Sequence, residues 1–108
     1  MSRFDDYLRT IQRGSRKLVR RTLSKGAEQG RRIVEDHLEQ SEDKLRRWTS
    51  LLANGELTEA EFKLLVNNQI SLGRMKLRTV EVIGKRAAID LRDGLRELLV
   101  DAAFAVFL

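Results

Sequence analysis

From Phe4 onward, small or apolar residues recur at positions 4, 8, 11, 15, 18, 22, 26, 30 and 33. That three-four spacing marks one face of an amphipathic helix. Ser2 stands where an N-cap belongs, and Asp5 and Asp6 place carboxylates in the first turn, where they offset the helix dipole. From Val34 the stripe becomes heptad-like, through Leu38, Ser41, Leu45, Trp48 and Leu52. Glu42 with Arg46, and Asp43 with Arg47, add acid-first pairs four residues apart on the solvated side. A further stripe begins at Phe62 and continues through Val66, Gln69 and Gly73 to Val80. It goes on through Gly84, Leu91, Leu95 and Leu98 to Ala105.

Between the two stripes lies the clearest local signal in the chain. Asn54-Gly55 is a helix stop, because glycine takes the left-handed conformation without a Cβ clash. Thr58 followed by Glu61 is a capping box that opens a new helix. Leu57 and Phe62 are placed to form the accompanying hydrophobic staple. The pattern therefore predicts an all-α chain of one domain, residues 1–108: a long antiparallel hairpin with helix 1 over about 3–53, a turn at 54–57 and helix 2 over about 58–107.

Helix 1 is the uncertain element. Gly26 and Gly30 each cost ~1 kcal/mol in a helix interior, and they either break it or serve as small contact points in a continuous helix. No Pro or Asn accompanies them, which favours the continuous form, about 75 Å long at 1.5 Å per residue. In a hairpin pivoting near Gly55, residue i faces roughly 111 − i. Gly84 then lies opposite Ala27, beside Gly26, and Leu98 lies opposite Arg13 and its neighbours Ile11 and Gly14.

Two surfaces stand out. The segment Leu98–Leu108 has one charge, Asp101, and is apolar around its whole circumference, more than one partner helix covers. Leu98, Phe104, Val106, Phe107 and Leu108 are thus candidates for assembly or partner contact. The hairpin register sets Phe4, Leu8 and Ile11 beside them. Oligomerisation or a partner would complete such a hairpin. On the opposite side of helix 1, Arg9, Arg13, Arg16 and Arg20 follow at steps of four, three and four, with Lys17 and Arg21 beside them. At about 100° per residue they project in nearly one direction. This row is either a solvated face that keeps the apolar end soluble or a contact for phosphates of nucleic acid or anionic lipid. It has no aromatic residues for base stacking, so any such binding is sequence-independent.

Charge sharpens this picture. The net +5 divides into ten Lys/Arg against three acids over residues 1–33, three against eight over 34–61, and eight against five over 62–108. The acidic block surrounds the turn and the basic block lies at the open end. Pro is absent and 34% of residues are charged, as in long surface-rich helices. With no Cys there are no disulfides, thiolate metal sites or Cys nucleophiles. The one histidine, His37, is preceded three residues earlier by Val34, so the Glu-x-x-His signature of di-iron bundles is missing; flanked by Glu35 and Glu39, it reads as part of a solvated face. A calcium loop would need Leu52 as a ligand, which a leucine cannot be. No glycine-rich phosphate loop is present. Neither an enzyme, a cofactor, a metal nor a small-molecule substrate is expected. No secretory leader or run of ~20 apolar residues is evident, so a cytoplasmic protein is expected.

The run Leu45-x-x-Trp48-x-x-Leu51-Leu52-x-x-Gly55-x-Leu57-Thr58-x-x-Glu61-Phe62-x-x-Leu65 resembles the short C-terminal (SHOCT) helical hairpin module of bacterial proteins. The resemblance rests on Gly55, Leu57, Thr58, Glu61 and Phe62 and covers about a fifth of the chain. It implies a bacterial protein with a role in self-association.

The function expected from these features is that of a non-enzymatic structural or adaptor protein. It self-assembles, or docks into a larger complex, through its apolar C-terminal end. The alternative is a basic hairpin that binds nucleic acid or anionic membrane through its arginine face.

Overall fold

A computed structural model describes residues 2–77 and 83–108. Every regular element among these residues is a helix: α1 (Arg3–Thr22), α2 (Ala27–Ala53), α3 (Glu59–Gln69), the single turn α4 (Leu72–Met75) and α5 (Lys85–Phe107). The expected caps are in place. The Ser2 hydroxyl accepts from the Asp5 amide at 3.2 Å. Thr58 and Glu61 form a reciprocal capping box, Thr58 Oγ1 accepting from the Glu61 amide at 3.0 Å and Glu61 Oε1 from the Thr58 amide at 2.9 Å. Those contacts hold the Glu61 carboxyl below its usual range. Gly55 closes α2 at φ +76°, in the left-handed region that the Asn54-Gly55 stop requires.

The two long helices of the sequence reading are each broken. Helix 1 divides at Leu23–Gly26, where Leu23 is extended and Gly26 turns left-handed at φ +69°. Gly26 and Gly30 play different parts. Gly26 supplies the reversal, while Gly30 is buried with no room for a side chain, because a Cβ there would collide with Leu23 Cδ1. Leu23 folds back over Gly30, so the chain doubles on itself. Helix 2 ends at Ile70. Ser71 then caps α4 by accepting from the Arg74 amide, and Lys76 turns left-handed at φ +60°. Gly84, at φ +84°, starts α5 with no atom within 4 Å of a notional Cβ. It is therefore a turn residue and not a close-packing point within a helix. The stripe position Val80 lies outside the described residues.

The breaks convert a rod into a bundle. Its longest extent is 42 Å, well short of a 75 Å hairpin, and its radius of gyration of 13.6 Å is close to the ~13 Å of a compact domain this size. α1, α2, α3 and α5 run up, down, up and down. Gly14 faces Leu98 and Leu18 faces Gly94, which makes α1 and α5 antiparallel. Arg16 faces Glu35, pairing α1 with α2. The Phe62–Phe104 ring pair and the bonds from Arg96 to Asn67 and Ile70 pair α3 with α5. The sequence register sets Leu98 opposite Arg13, one residue from the Gly14 it faces.

This arrangement answers the puzzle of the apolar C-terminal segment. One helix cannot cover it, but α5 is flanked by α1, α2 and α3 of its own chain. Leu99, Val100, Ala102 and Ala103 are all buried. The heptad positions Val34, Leu38, Ser41, Leu45, Trp48 and Leu52 are buried as well, forming the α2 wall of the same core. No helix among the described residues is long and apolar enough to cross a membrane.

Candidate interaction surfaces

The residues grouped for assembly separate into three sets. Phe4 and Ile11 are core residues, 7% and 0% exposed, so they offer a partner nothing. Leu8, Leu98, Phe104, Val106 and Phe107 are half-buried against the core. Leu108 is 64% exposed, one of two large apolar side chains among the described residues that stand in solvent, the other being Leu64 on α3. The aromatic rings at this end carry cations over their faces. The Arg46 guanidinium lies 4.3 Å from the Phe4 centroid, that of Arg3 5.6 Å from Phe107, and the Lys63 ammonium 5.9 Å from Phe104. Such contacts favour a desolvated cation against a ring. They leave Leu108 as the least shielded large apolar group of the last turn.

The arginine row is a ridge along the outer side of α1. Arg13, Lys17, Arg20 and Arg21 are exposed and none is in ion-pair distance of a carboxylate among the described residues. Arg9 pairs with Asp6 at 3.1 Å, and Arg16 lies 3.8 Å from Glu35. The ridge has carboxylates on both flanks, a feature of tertiary structure that one helix's sequence could not reveal. Toward α2 a groove of about 460 Å³ is lined by Leu8, Gln12, Arg16, Glu35, Glu39 and Glu42. Toward α5 a second groove of about 410 Å³ has Arg21 and Thr10 on one rim and Glu97 and Asp101 on the other, over a floor of Gly94, Leu98 and Ala102. The outer face of α5 continues this acidic rim with Asp90, Asp93, Glu97 and Asp101, all exposed, at steps of three, four and four. Asp90 is 3.4 Å from Arg86 and Asp93 2.9 Å from Arg92, whereas Glu97 and Asp101 have no ion pair among the described residues. A positive ridge between two negative strips confines its field to a narrow line.

A buried polar cluster went unread in the sequence. His37 is not on a solvated face: it is 6% exposed, and its Nε2 donates to the Gln69 carbonyl at 2.8 Å. The Gln69 side chain donates to Ser41 Oγ at 2.8 Å and accepts from Lys44 Nζ at 3.3 Å. From α5, Arg96 donates to the Ile70 and Asn67 carbonyls at 2.7 and 2.9 Å. The last turn of α3 carries no basic residue of its own, and these donors satisfy its free carbonyls from neighbouring helices. Burial pushes the His37 imidazole below its usual pKa, and the charges of Arg74 and Lys44 push it further down, against an opposing contribution from the Gln69 bond. The signal was present: position 37 lies three residues after Val34 and four before Ser41, on the edge of the apolar stripe. Among the described residues no three His, Asp or Glu side chains gather as metal ligands would.

In comparisons with protein families, curated proteins and solved structures, the chain matches none.

Proposed function

We propose that this chain is a non-enzymatic helical structural or adaptor module that assembles with further copies or docks into a larger complex. The observation that carries this reading is the incomplete cover of the α5 tail. Leu108 is 64% exposed, with Val106 and Phe107 half-buried beside it, although Leu99, Val100, Ala102 and Ala103 have entered the core. Leu98, on the floor of the α1/α5 groove, extends the available apolar surface. The resemblance of residues 45–65 to a self-association module supports the same reading. The test is the native mass of the full chain, with identification of anything that co-purifies, for the wild type and for a Phe107→Ser/Leu108→Ser variant. The expected result is loss of the oligomer or partner with helicity retained. An unchanged mass and unchanged partners would assign this tail to the internal core alone.

A second reading, contact with nucleic acid or anionic lipid, draws on Arg13, Lys17, Arg20 and Arg21, the exposed cations of the α1 ridge with no ion-pair partner among the described residues. The carboxylates on both flanks count against it, because an extended phosphate surface that met the ridge would also meet them. Retention on heparin at low salt, lost in an Arg13→Glu/Arg20→Glu variant, would favour this reading.

A further inference from the structure

We infer that a second copy of this chain docks across the α1/α5 face, about a two-fold axis running parallel to the two helices, so that the cations of each α1 meet the carboxylates of the other copy's α5. The inference rests on the assembly reading but places a contact on a different surface from the α5 tail.

The charges of the two helices are complementary in kind and in spacing. Arg13, Lys17 and Arg21 climb the α1 side of the face at steps of four, while Asp93, Glu97 and Asp101 climb the α5 side at the same steps. Thr10 and Arg21 share one groove with Glu97 and Asp101, so both rows look out on the same side of the α1/α5 contact.

The vertical register matches too. Leu98 over Gly14 and Leu18 over Gly94 show that residues whose numbers sum to 112 are level across the antiparallel pair. Arg13 is therefore level with position 99, midway between Glu97 and Asp101. Lys17 is level with position 95, midway between Asp93 and Glu97. Arg21 is level with position 91, between Asp90 and Asp93. Each offset is one or two residues, about 1.5–3 Å along the axis, within the reach of an Arg or Lys side chain. A two-fold parallel to the helices keeps every residue at its own height and exchanges left for right. It sets α1 of one copy against α5 of the other with no slip in register, and it makes every contact twice. A two-fold lying across the helices would instead oppose α1 to α1 and α5 to α5, bringing like charges together. Charge thus selects the first arrangement.

The face has the anatomy of an interface. Gly94, Leu98 and Ala102 form an apolar floor, and the charged rows form its rims. Single exposed ion pairs contribute little, so the association should depend on several pairs acting with the floor and should respond strongly to salt. A flat array of phosphates would meet only half of this pattern favourably. A second copy meets all of it.

Sedimentation equilibrium of the full chain at ~0.1 M and ~1 M salt, where the Debye length falls from about 10 Å to about 3 Å, tests the inference. The expected result is a dimer at low salt that dissociates at high salt. Reversal of α1 (Arg13→Glu, Lys17→Glu, Arg21→Glu) or of α5 (Asp93→Lys, Glu97→Lys, Asp101→Lys) should each give a monomer. An equimolar mixture of the two variants should restore the dimer, since both of its contacts then pair opposite charges. That restoration also shows that both variants are folded. A wild type that is monomeric at low salt, or reversed variants as dimeric as the wild type, would overturn the proposal. Self-association that survives both reversals but is lost in Phe107→Ser/Leu108→Ser would reject this face and leave the tail-mediated assembly standing. The opposite pattern would assign the contact to this face and remove the tail from self-association.

Discussion

The Tyr7 hydroxyl donates to the Leu99 carbonyl at 3.0 Å, tying the start of α1 to the C-terminal half of α5 across 92 positions of sequence. Tyr7 has no exposed surface, and its ring packs edge-on to Phe107 at 5.8 Å. Burial raises the phenol pKa well above its ordinary 10.0. The neutral form is thus favoured in the fold, so its contribution to stability is intact below pH 10.0 and is lost as pH rises above it, when the unfolded chain ionises first. Tyr7→Phe should cost about 1 kcal/mol at neutral pH and remove this part of the alkaline loss. Urea midpoints of both proteins from pH 7 to 11 would measure the difference. Parallel curves would mean that ionisation of the buried Tyr7 does not drive the alkaline loss.

Leu18 over Gly94 and Leu98 over Gly14 form a reciprocal pair of close approaches between α1 and α5. At either glycine, a Cβ would come within 2.6 Å of the facing leucine's Cδ1. The consequences should differ. Leu18 is 6% exposed and enclosed, whereas Leu98 is half-buried beside an open groove and can swing aside. Gly94→Ala should therefore destabilise by about 1–3 kcal/mol, outweighing the ~1 kcal/mol gain in helix propensity. Gly14→Ala should be close to neutral. Gly30→Ala, against the buried Leu23, should behave like Gly94→Ala. Thermal melts rank the three, and equal costs at Gly14 and Gly94 would contradict this account.

The elements readable in the sequence were those whose signal is local. The Thr58/Glu61 capping box, the Ser2 cap and the Gly55 stop each depend on a few adjacent residues, and each stands as read. The α2 stripe from Val34 to Leu52 was equally plain because one periodicity runs unbroken through it. The breaks were not legible. Thr22 and Gly26, and likewise Gln69 and Gly73, keep the small-or-apolar pattern in step across both interruptions, so periodicity alone cannot distinguish a continuous helix from two that meet at a corner. What separates Gly26 from Gly30 is the position of the Leu23 side chain, a tertiary fact. The carboxylates beside the arginine ridge were hidden for a related reason: they come from α2 and α5, residues far away in sequence. Once the chain folds back, α1, α2 and α3 pack against α5 and bury Leu99, Val100, Ala102 and Ala103, and Phe4 and Ile11 leave the surface for the core.

His37 gives the fold an acid-sensitive joint. Its pKa is lowered in the native state, chiefly by burial, so the neutral imidazole is favoured there even though the bond to the Gln69 carbonyl works in the other direction. The unfolded chain takes up a proton near the ordinary 6.5. The contribution of this site is complete above that value and declines as pH falls below it, levelling off once the folded imidazole also ionises. His37→Gln should flatten this part of the profile between pH 5 and 7. Arg96→Met should weaken the same joint without that pH dependence, because it removes donors to Asn67 and Ile70 that do not titrate in this range. Hydrogen exchange over residues 66–77 would locate both effects at the end of α3. A uniform loss of protection along the whole chain would place the sensitivity elsewhere.

Removing residues 99–108 should unfold the bundle. Leu99, Val100, Ala102 and Ala103 are buried, and the deletion also uncovers Tyr7 and Phe62, both 0% exposed, by taking away Phe107 and Phe104. Large apolar side chains contribute roughly 1.5–3 kcal/mol each when buried, so the loss of Leu99 and Val100, the two rings and the Tyr7 bond is comparable with the whole ~5–15 kcal/mol margin of a domain. By contrast, Leu108→Ser changes a side chain already 64% exposed and should leave the melting temperature nearly unchanged. Circular dichroism during a thermal melt compares the two. The truncated chain should show a broad, weak transition and reduced helicity throughout, because α1 loses the helix it packs against. A truncated chain that kept its α2/α3 helicity and a sharp transition would show instead that the capped hairpin around Gly55 folds by itself and that α1 and α5 are added to a finished core.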